Sequence, residues 1–477
     1  MLGRECMKLR SSSYVLLALS ILILPSSWTL RSQVNFQDQD IARIPEGNQR
    51  TRGTAQFLIH RFGFTGEAIQ TGRNIFHHDF ADDRKSGCNG IPCTLRNPQA
   101  TRAWPQSKFE ASACETCHST PRHSAGFGPN EQNIFRGGNR VRTNDMFGGG
   151  LIQELGIEAT EDLKASSKQG RALTTENGVN YSKGLGVRPG GTVNPDLVVR
   201  PFGRKGTHSH LRAFVSFAAF DHLGIQSQDN FQCSDQNKNE DGRCNGAIRA
   251  GLDPDRDGIA DELTQGSLSL IEFYLDNYPV PGRGPITDAV KNGEEVFKTI
   301  GCAECHRPEM RVKRDPRIEH ITVFWNEKRN RFEAERQLLY HQVDDGYIDP
   351  DRERSVPIVV PNFQPFVVPL YADLKRHDMG PEMADANDET GVSKRVFITR
   401  PLWGVGTYTT FLDDGSAKTL EEVILRHSGE ALAPRNRYAR LTSQQQLDLV
   451  SFLKSLVLFN VEDVLTAKIP ITRGDLP

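Results

Sequence analysis

In the stretch "NGEEVFKTIGCAECH" the apolar residues Val296, Phe297 and Ile300 share one face of a predicted helix that runs directly into a pair of cysteines. "TGRNIF" (Thr71 to Phe76) has the same Gly-x-x-x-Phe form. Two later stretches, "SLIEFYLDNY" (269–278) and "DLVSFLKSLV" (448–457), align Leu, an aliphatic residue and Phe in one register. Thr442 and Ser443, with Gln445 and Gln446 three residues on, predict a cap at the start of the second. "KTLEEVILRH" spaces Leu420, Val423, Ile424 and His427 as i, i+3, i+4 and i+7, so His427 belongs to the inward face of a helix. The Pro-rich "NYPVPGRGP" (277–285) separates two units that repeat this order. The expected units span 55–280 and 286–465, with long loop insertions, one of which carries Cys88 and Cys93.

Composition adds little. A formal net charge of −2 and 37% hydrophobic residues over 477 positions describe a globular chain of more than one domain, without the basic excess of a nucleic-acid binder.

Candidate chemistry lies in a repeated motif. Cys-x-x-Cys-His occurs at Cys114, Cys117 and His118, and again at Cys302, Cys305 and His306. Two thiols at this spacing can each add to a porphyrin vinyl group, and the next histidine then lies under the iron. Zinc is the competing reading, because two Cys-x-x-Cys pairs can close one tetrahedral site, but it does not call for the histidine in the same place twice. The fold class expected is mainly α: two tandem cytochrome c-like haem domains, each with a covalently attached haem c.

Compartment agrees with this reading. Residues 1–32 contain Arg4, Lys8 and Arg10, then an apolar run from Tyr14 to Leu24. That layout is a signal peptide or an N-terminal anchor, short for a membrane span, and it points to a periplasmic or otherwise exported protein. Cys88 with Cys93, and Cys233 with Cys244, read as two local disulfides of an oxidising space.

"DPDRDGIADE" places Asp253, Asp255, Asp257 and Asp261 around Gly258, a spacing of oxygen ligands that suits calcium. Thr264 stands where a bidentate Glu is usual, and Glu262 is the substitute. Asp235, Asn237, Asn239 and Asp241 form a weaker version just upstream.

The stretches "VNPDLVVRPFGRKG", "DPDRDGIADELTQG", "YADLKRHDMGPEMAD", "RPLWGVG" and "LEEVILRHSGEA" resemble the di-haem oxidoreductase family, relatives of bacterial di-haem cytochrome c peroxidases. The resemblance implies two haem c domains with bound calcium, peroxide or another small oxidant as substrate, and a small redox protein such as a cytochrome c or cupredoxin as electron donor. One departure is Asp413-Asp414-Gly415, where relatives often carry His-Asp-Gly. The position similar to His427 supplies a distal ligand in related peroxidases, so His306 and His427 are expected on opposite sides of the second iron; Met379, beside His377, is the rival.

Overlaying "HLRAFVSFA" on "TLEEVILRH" puts Ala218 where His427 sits, which leaves the first haem without that ligand and makes it the expected reaction centre. Breaking an O–O bond calls for a base and a cation. "RPFGRKGTHSH" offers Arg204, Lys205 and His208 for these tasks, with His210 beside them, although Arg204 and Lys205 also suit haem propionates. Trp403 is expected between the two porphyrins, or as a packing residue. An oxygenase or oxidase acting on an organic or protein substrate, and a non-catalytic electron carrier, are the other functions that fit.

Overall fold

A computed structural model describes residues 72–78, 111, 113–119, 125–128, 134–136, 139–223, 263, 265–276, 278, 280–313, 320–326, 331–337 and 366–458. The expected signal or anchor segment, the four cysteines assigned to disulfides and the proposed calcium ligands Asp253, Asp255, Asp257, Asp261 and Glu262 lie outside these residues.

Among the described residues the chain is mostly helical with a few short strands. The first half carries helix α1 (72–77), α2 (Cys114–Cys117), strands β1 (Ile134–Arg136) and β2 (Asn139–Val141), α3 (Gly149–Lys168), α4 (Leu211–Ala218) and α5 (Gln265–Asp276). The second carries β3 (Gly282–Arg283), α6 (Asp288–Thr299), β4 (Met310–Val312), β5 (His320–Asn326), β6 (Arg331–Gln337), β7 (Phe366–Val368), β8 (Arg376–Asp378), β9 (Val396–Ile398), α7 (Leu420–Arg426), α8 (Leu432–Tyr438), α9 (Ser443–Lys454) and β10 (Leu456–Val457). The strands pair antiparallel in twos: β1–β2, β3–β10, β4–β7, β5–β6 and β8–β9. The β3–β10 ladder, with Gly282 opposite Val457, ties the two ends of the second half together. The β5–β6 hairpin is one of the long insertions, and nothing in the periodicity of its sequence singled it out.

The Gly-x-x-x-Phe pattern has a packing cause. A Cβ on Gly293 of α6 would fall 1.9 Å from the Asp448 carbonyl oxygen on α9, and a Cβ on Gly72 of α1 would fall 1.9 Å from the Leu270 carbonyl on α5. Only glycine permits helix backbones to cross this closely. One turn on, Phe297 meets Phe452 at 5.2 Å between ring centres, and Phe76 meets Tyr274 at 5.5 Å. These contacts pair Leu270 with Asp448 and Tyr274 with Phe452, one residue away from the sequence overlay of α5 on α9. The capping box at Thr442 and Gln445 is formed, as the sequence predicts, and such a cap stabilises a helix by about 1 kcal/mol.

A second repeat sits before α4 and α7. Phe202 bridges His208, and Phe411 bridges Ala417, each pair enclosing a glycine at positive φ, Gly206 at 63° and Gly415 at 66°. Each loop then delivers a helix whose N-cap is His210 in one case and Thr419 in the other. N-cap to N-cap, Ala218 falls at the position of His427.

Two apolar clusters result. One contains Phe76, Cys117, Phe127, Leu155, Tyr278 and Trp403; the other contains Phe297, Tyr371, Leu420, Leu449 and Phe452. Tyr408 packs against both. No helix among the described residues is long and apolar enough to cross a membrane.

Gly293→Ala is expected to lower the free energy of unfolding by about 1–3 kcal/mol through overpacking, read as a shift of the denaturant midpoint. Leu447→Ala, at a side chain 58% exposed, is expected to leave the midpoint unchanged.

Candidate functional site

α6 ends at Ile300, and Gly301 at φ 90° turns the chain into a short 3-10 turn, Cys302–Glu304, that presents the second motif. α2 is itself the first motif, so Cys114 and Cys117 stand one helical turn apart. All four thiols are free. Burial pushes Cys114 and Cys302 up to about 12, which keeps both as neutral thiols at pH 7 in the metal-free chain. Nor do the four converge: among the described residues the one group with metal-ligand spacing is Cys305, Asp373 and His377. A shared Cys₄ zinc site is therefore not assembled.

Each motif histidine is oriented by its backbone. His118 donates from Nδ1 to the Gly126 carbonyl at 3.1 Å, and His306 donates from Nδ1 to the Tyr371 carbonyl at 3.0 Å. Donation from Nδ1 fixes the tautomer and leaves Nε2 with its lone pair, as an iron-bound imidazole requires. Burial lowers both histidines to about 4, helped in His306 by the charge of His427 and in His118 by that of His222. Both are neutral at pH 7. His427, at the C-terminal cap of α7, donates from Nδ1 to the Val423 carbonyl at 2.7 Å and is likewise held below the usual range by burial.

These residues line one continuous cavity of about 750 Å³. Cys114, Cys117, His118, Cys302, Cys305, His306, Met379, Trp403, His427 and Arg204 all border it. Its wall is largely apolar, with Phe76, Phe147, Phe214, Ile271, Phe297 and Leu453 among the lining side chains. Two sets of free thiols, two imidazoles presenting Nε2 and an apolar enclosure fit two haem groups, with Cys114, Cys117 and His118 holding one and Cys302, Cys305 and His306 the other.

Other expected residues are placed differently. Arg204 makes two bonds to Glu389, at 2.9 and 2.6 Å, and pairs with Asp385. Lys205 is fully buried behind the wall, bonded to the Val396 carbonyl at 2.9 Å and paired with Asp385 at 2.8 Å, over the Phe397 ring. His208 bonds Thr207 and packs on Phe214 and Phe217. Neither Lys205 nor His208 is among the side chains bordering the cavity; the loop's bridge turns them into the packing against β9 and α4. Asp413 is paired with Arg400 at 2.9 Å, and although burial opposes its charge, Arg400, Arg204 and Lys205 keep it below the ordinary carboxylate range. The Asp at this departure from the family pattern thus belongs to an ion network.

His377, the neighbour of Met379, has both ring nitrogens engaged. Its Nε2 meets Asp373 and its Nδ1 meets Glu430, each at 2.9 Å, and although burial opposes the charge these partners raise it to about 11. Trp403 is buried, donates to the Pro369 carbonyl at 2.6 Å, and lies where a Cβ on Gly148 would come within 2.2 Å of its ring.

His222 and Tyr408 are among the cavity residues that escaped the sequence reading, as are Arg142 and Asp145. His222 lies on a π-turn, Ala219–Leu223, that extends α4, and it borders the cavity with Ala218. Its i, i+4 spacing from Ala218 was the available signal. Tyr408 donates to Asp145, 263 residues away, and no local signal connects them.

A pH dependence follows from these histidines. His118 and His306 fold with depressed values, so stability is full above about 6.5 and falls as pH drops toward about 4, because the unfolded chain takes up protons there first. His377 has the opposite sign: its contribution is complete below about 6.5 and is lost as pH rises through about 11. Denaturant midpoints across this range should decline on both sides, and His377→Gln should flatten the alkaline side.

No curated protein matches the chain. A family model matches residues 358–456, the stretch that carries His377, Met379, Trp403, Tyr408 and His427 but neither Cys-x-x-Cys-His motif. That stretch is similar to the family described as "Di-haem oxidoreductase, putative peroxidase".

Proposed function

We propose that the chain is an exported di-haem c-type peroxidase, which reduces hydrogen peroxide at the haem on His118 with electrons relayed through the haem on His306. The carrying observation is the single cavity bordered by both motifs, with a further histidine on each side, His222 near His118 and His427 near His306. Haem iron supplies one-electron chemistry and a site for peroxide. The chain's own residues supply the asymmetry.

On the second side His427, with Nδ1 committed to the Val423 carbonyl, keeps Nε2 available and would offer a second imidazole to the haem that Cys302, Cys305 and His306 would hold, which would suit that haem to electron transfer. On the first side the small Ala218 occupies the equivalent helical position and would leave space for a small oxidant beside the haem that Cys114, Cys117 and His118 would hold. His222 stands one turn further on and would serve as the base that takes a proton from peroxide. Arg142, which also borders the cavity and donates to the Thr410 carbonyl at 3.0 Å, supplies the positive charge for the departing oxygen. Unlike Lys205 and His208, these two border the cavity. Two electrons and two protons convert one peroxide to two waters, and a small redox protein supplies the electrons.

His222→Ala is expected to lower peroxide-dependent oxidation of a reduced cytochrome by about 10²-fold or more, with the optical spectrum of both haems retained. His427→Ala is expected to convert one low-spin signal in electron paramagnetic resonance to high spin. If the wild-type protein shows two low-spin haems, fully oxidised and half-reduced alike, and neither changes with cyanide or peroxide, it is an electron carrier and the peroxidase reading falls.

A further inference from the structure

Resting on that reading, we propose that Tyr408 is a redox-active relay whose phenolic proton passes to Asp145 as its electron leaves for the haem on His118. Three observations place it there. Tyr408 packs against both apolar clusters and borders the cavity, so it stands between the two motifs. Its ring meets Phe127 edge-on at 4.7 Å, and Phe127 follows Gly126, whose carbonyl holds His118. Its hydroxyl donates to the carboxylate of Asp145, which also borders the cavity and accepts a second hydrogen bond from the Phe147 N–H at 3.2 Å.

The arrangement suits coupled loss of a proton and an electron. Burial holds the Tyr408 phenol well above its ordinary value, so it does not ionise beforehand. Burial also raises Asp145, which makes it a stronger base than an exposed carboxylate. The Arg142 guanidinium lies 4.4 Å from the ring centre. A cation there opposes charge building up on an oxidised ring, and so favours loss of the proton together with the electron.

The step balances as follows. When peroxide has withdrawn two electrons from the haem sites and no donor has replaced them, one electron moves from Tyr408 to fill a vacancy. The phenolic O–H bond breaks, its proton binds Oδ2 of Asp145, and a neutral tyrosyl radical faces a neutral carboxylic acid. An electron from the redox protein returns Tyr408 to the phenol, and Asp145 gives the proton back.

The test treats the oxidised holoprotein with one equivalent of hydrogen peroxide, without donor, and freezes it for electron paramagnetic resonance. The expected result is an organic radical whose hyperfine structure narrows with ring-deuterated tyrosine. It should be absent in Tyr408→Phe and at least tenfold weaker in Asp145→Asn, while the haem spectra of both variants match the wild type. A protein that consumes peroxide but forms no tyrosyl signal, or whose signal survives in Tyr408→Phe, overturns the relay and leaves the peroxidase reading intact. A protein inert to peroxide overturns that reading; the same spectra after one-electron oxidation with hexachloroiridate then decide Tyr408 separately.

Discussion

The hydrogen bond from a motif histidine's Nδ1 to a backbone carbonyl is the constraint around which the rest is arranged. Without it the imidazole could rotate or exchange tautomers, and Nε2 would have no fixed direction. The acceptors, Gly126 and Tyr371, come from segments outside the motifs, so the surrounding chain must be positioned before either ring is. Burial then holds both rings neutral, which keeps the lone pair available. A second proton on either motif ring would remove the lone pair that coordination needs.

Positioning of those segments depends on the two glycine crossings. Gly72 against α5 and Gly293 against α9 let a helix that approaches the motif lie directly on the closing helix of its half. In the second half the helix runs straight on into Cys302, and the crossing fixes the motif with little intervening chain. In the first half the opening helix and Cys114 are far apart in sequence, and the motif is seated instead by packing of Cys117 and His118 among Phe76, Phe127 and their neighbours.

The repeated loops show how a duplicated scaffold acquires two roles. Arg204 and Lys205 occupy in one loop the positions of Asp413 and Asp414 in the other, and the two cations and Asp413 meet with Asp385, Glu389 and Arg400 in a largely buried network. Removing one member of such a network leaves a buried charge without compensation, at a cost of about 3–5 kcal/mol. Two loops that began as equivalents therefore serve as each other's counter-charge. Among the differences between the helices they launch is Ala218 against His427, the difference on which the proposed asymmetry of the two sites rests.

Much of this was legible locally. Periodicity determined the helices around Phe297, Leu420 and Leu449, a capping box needs only residues three apart, and the two Cys-x-x-Cys-His motifs specify thiols and imidazole within one turn. The overlay of Ala218 on His427 followed from the same short-range order. What tertiary structure decided was everything that depends on residues distant in sequence. Whether Arg204 is a free cation depends on Glu389, and whether His377 can bind iron depends on Asp373 and Glu430 occupying both ring nitrogens. Whether Tyr408 has a proton acceptor depends on Asp145. Spacing along the chain records which groups share a helix face; it carries no record of which loops fold back to neutralise, saturate or partner them, because that is settled by burial and charge across the folded core.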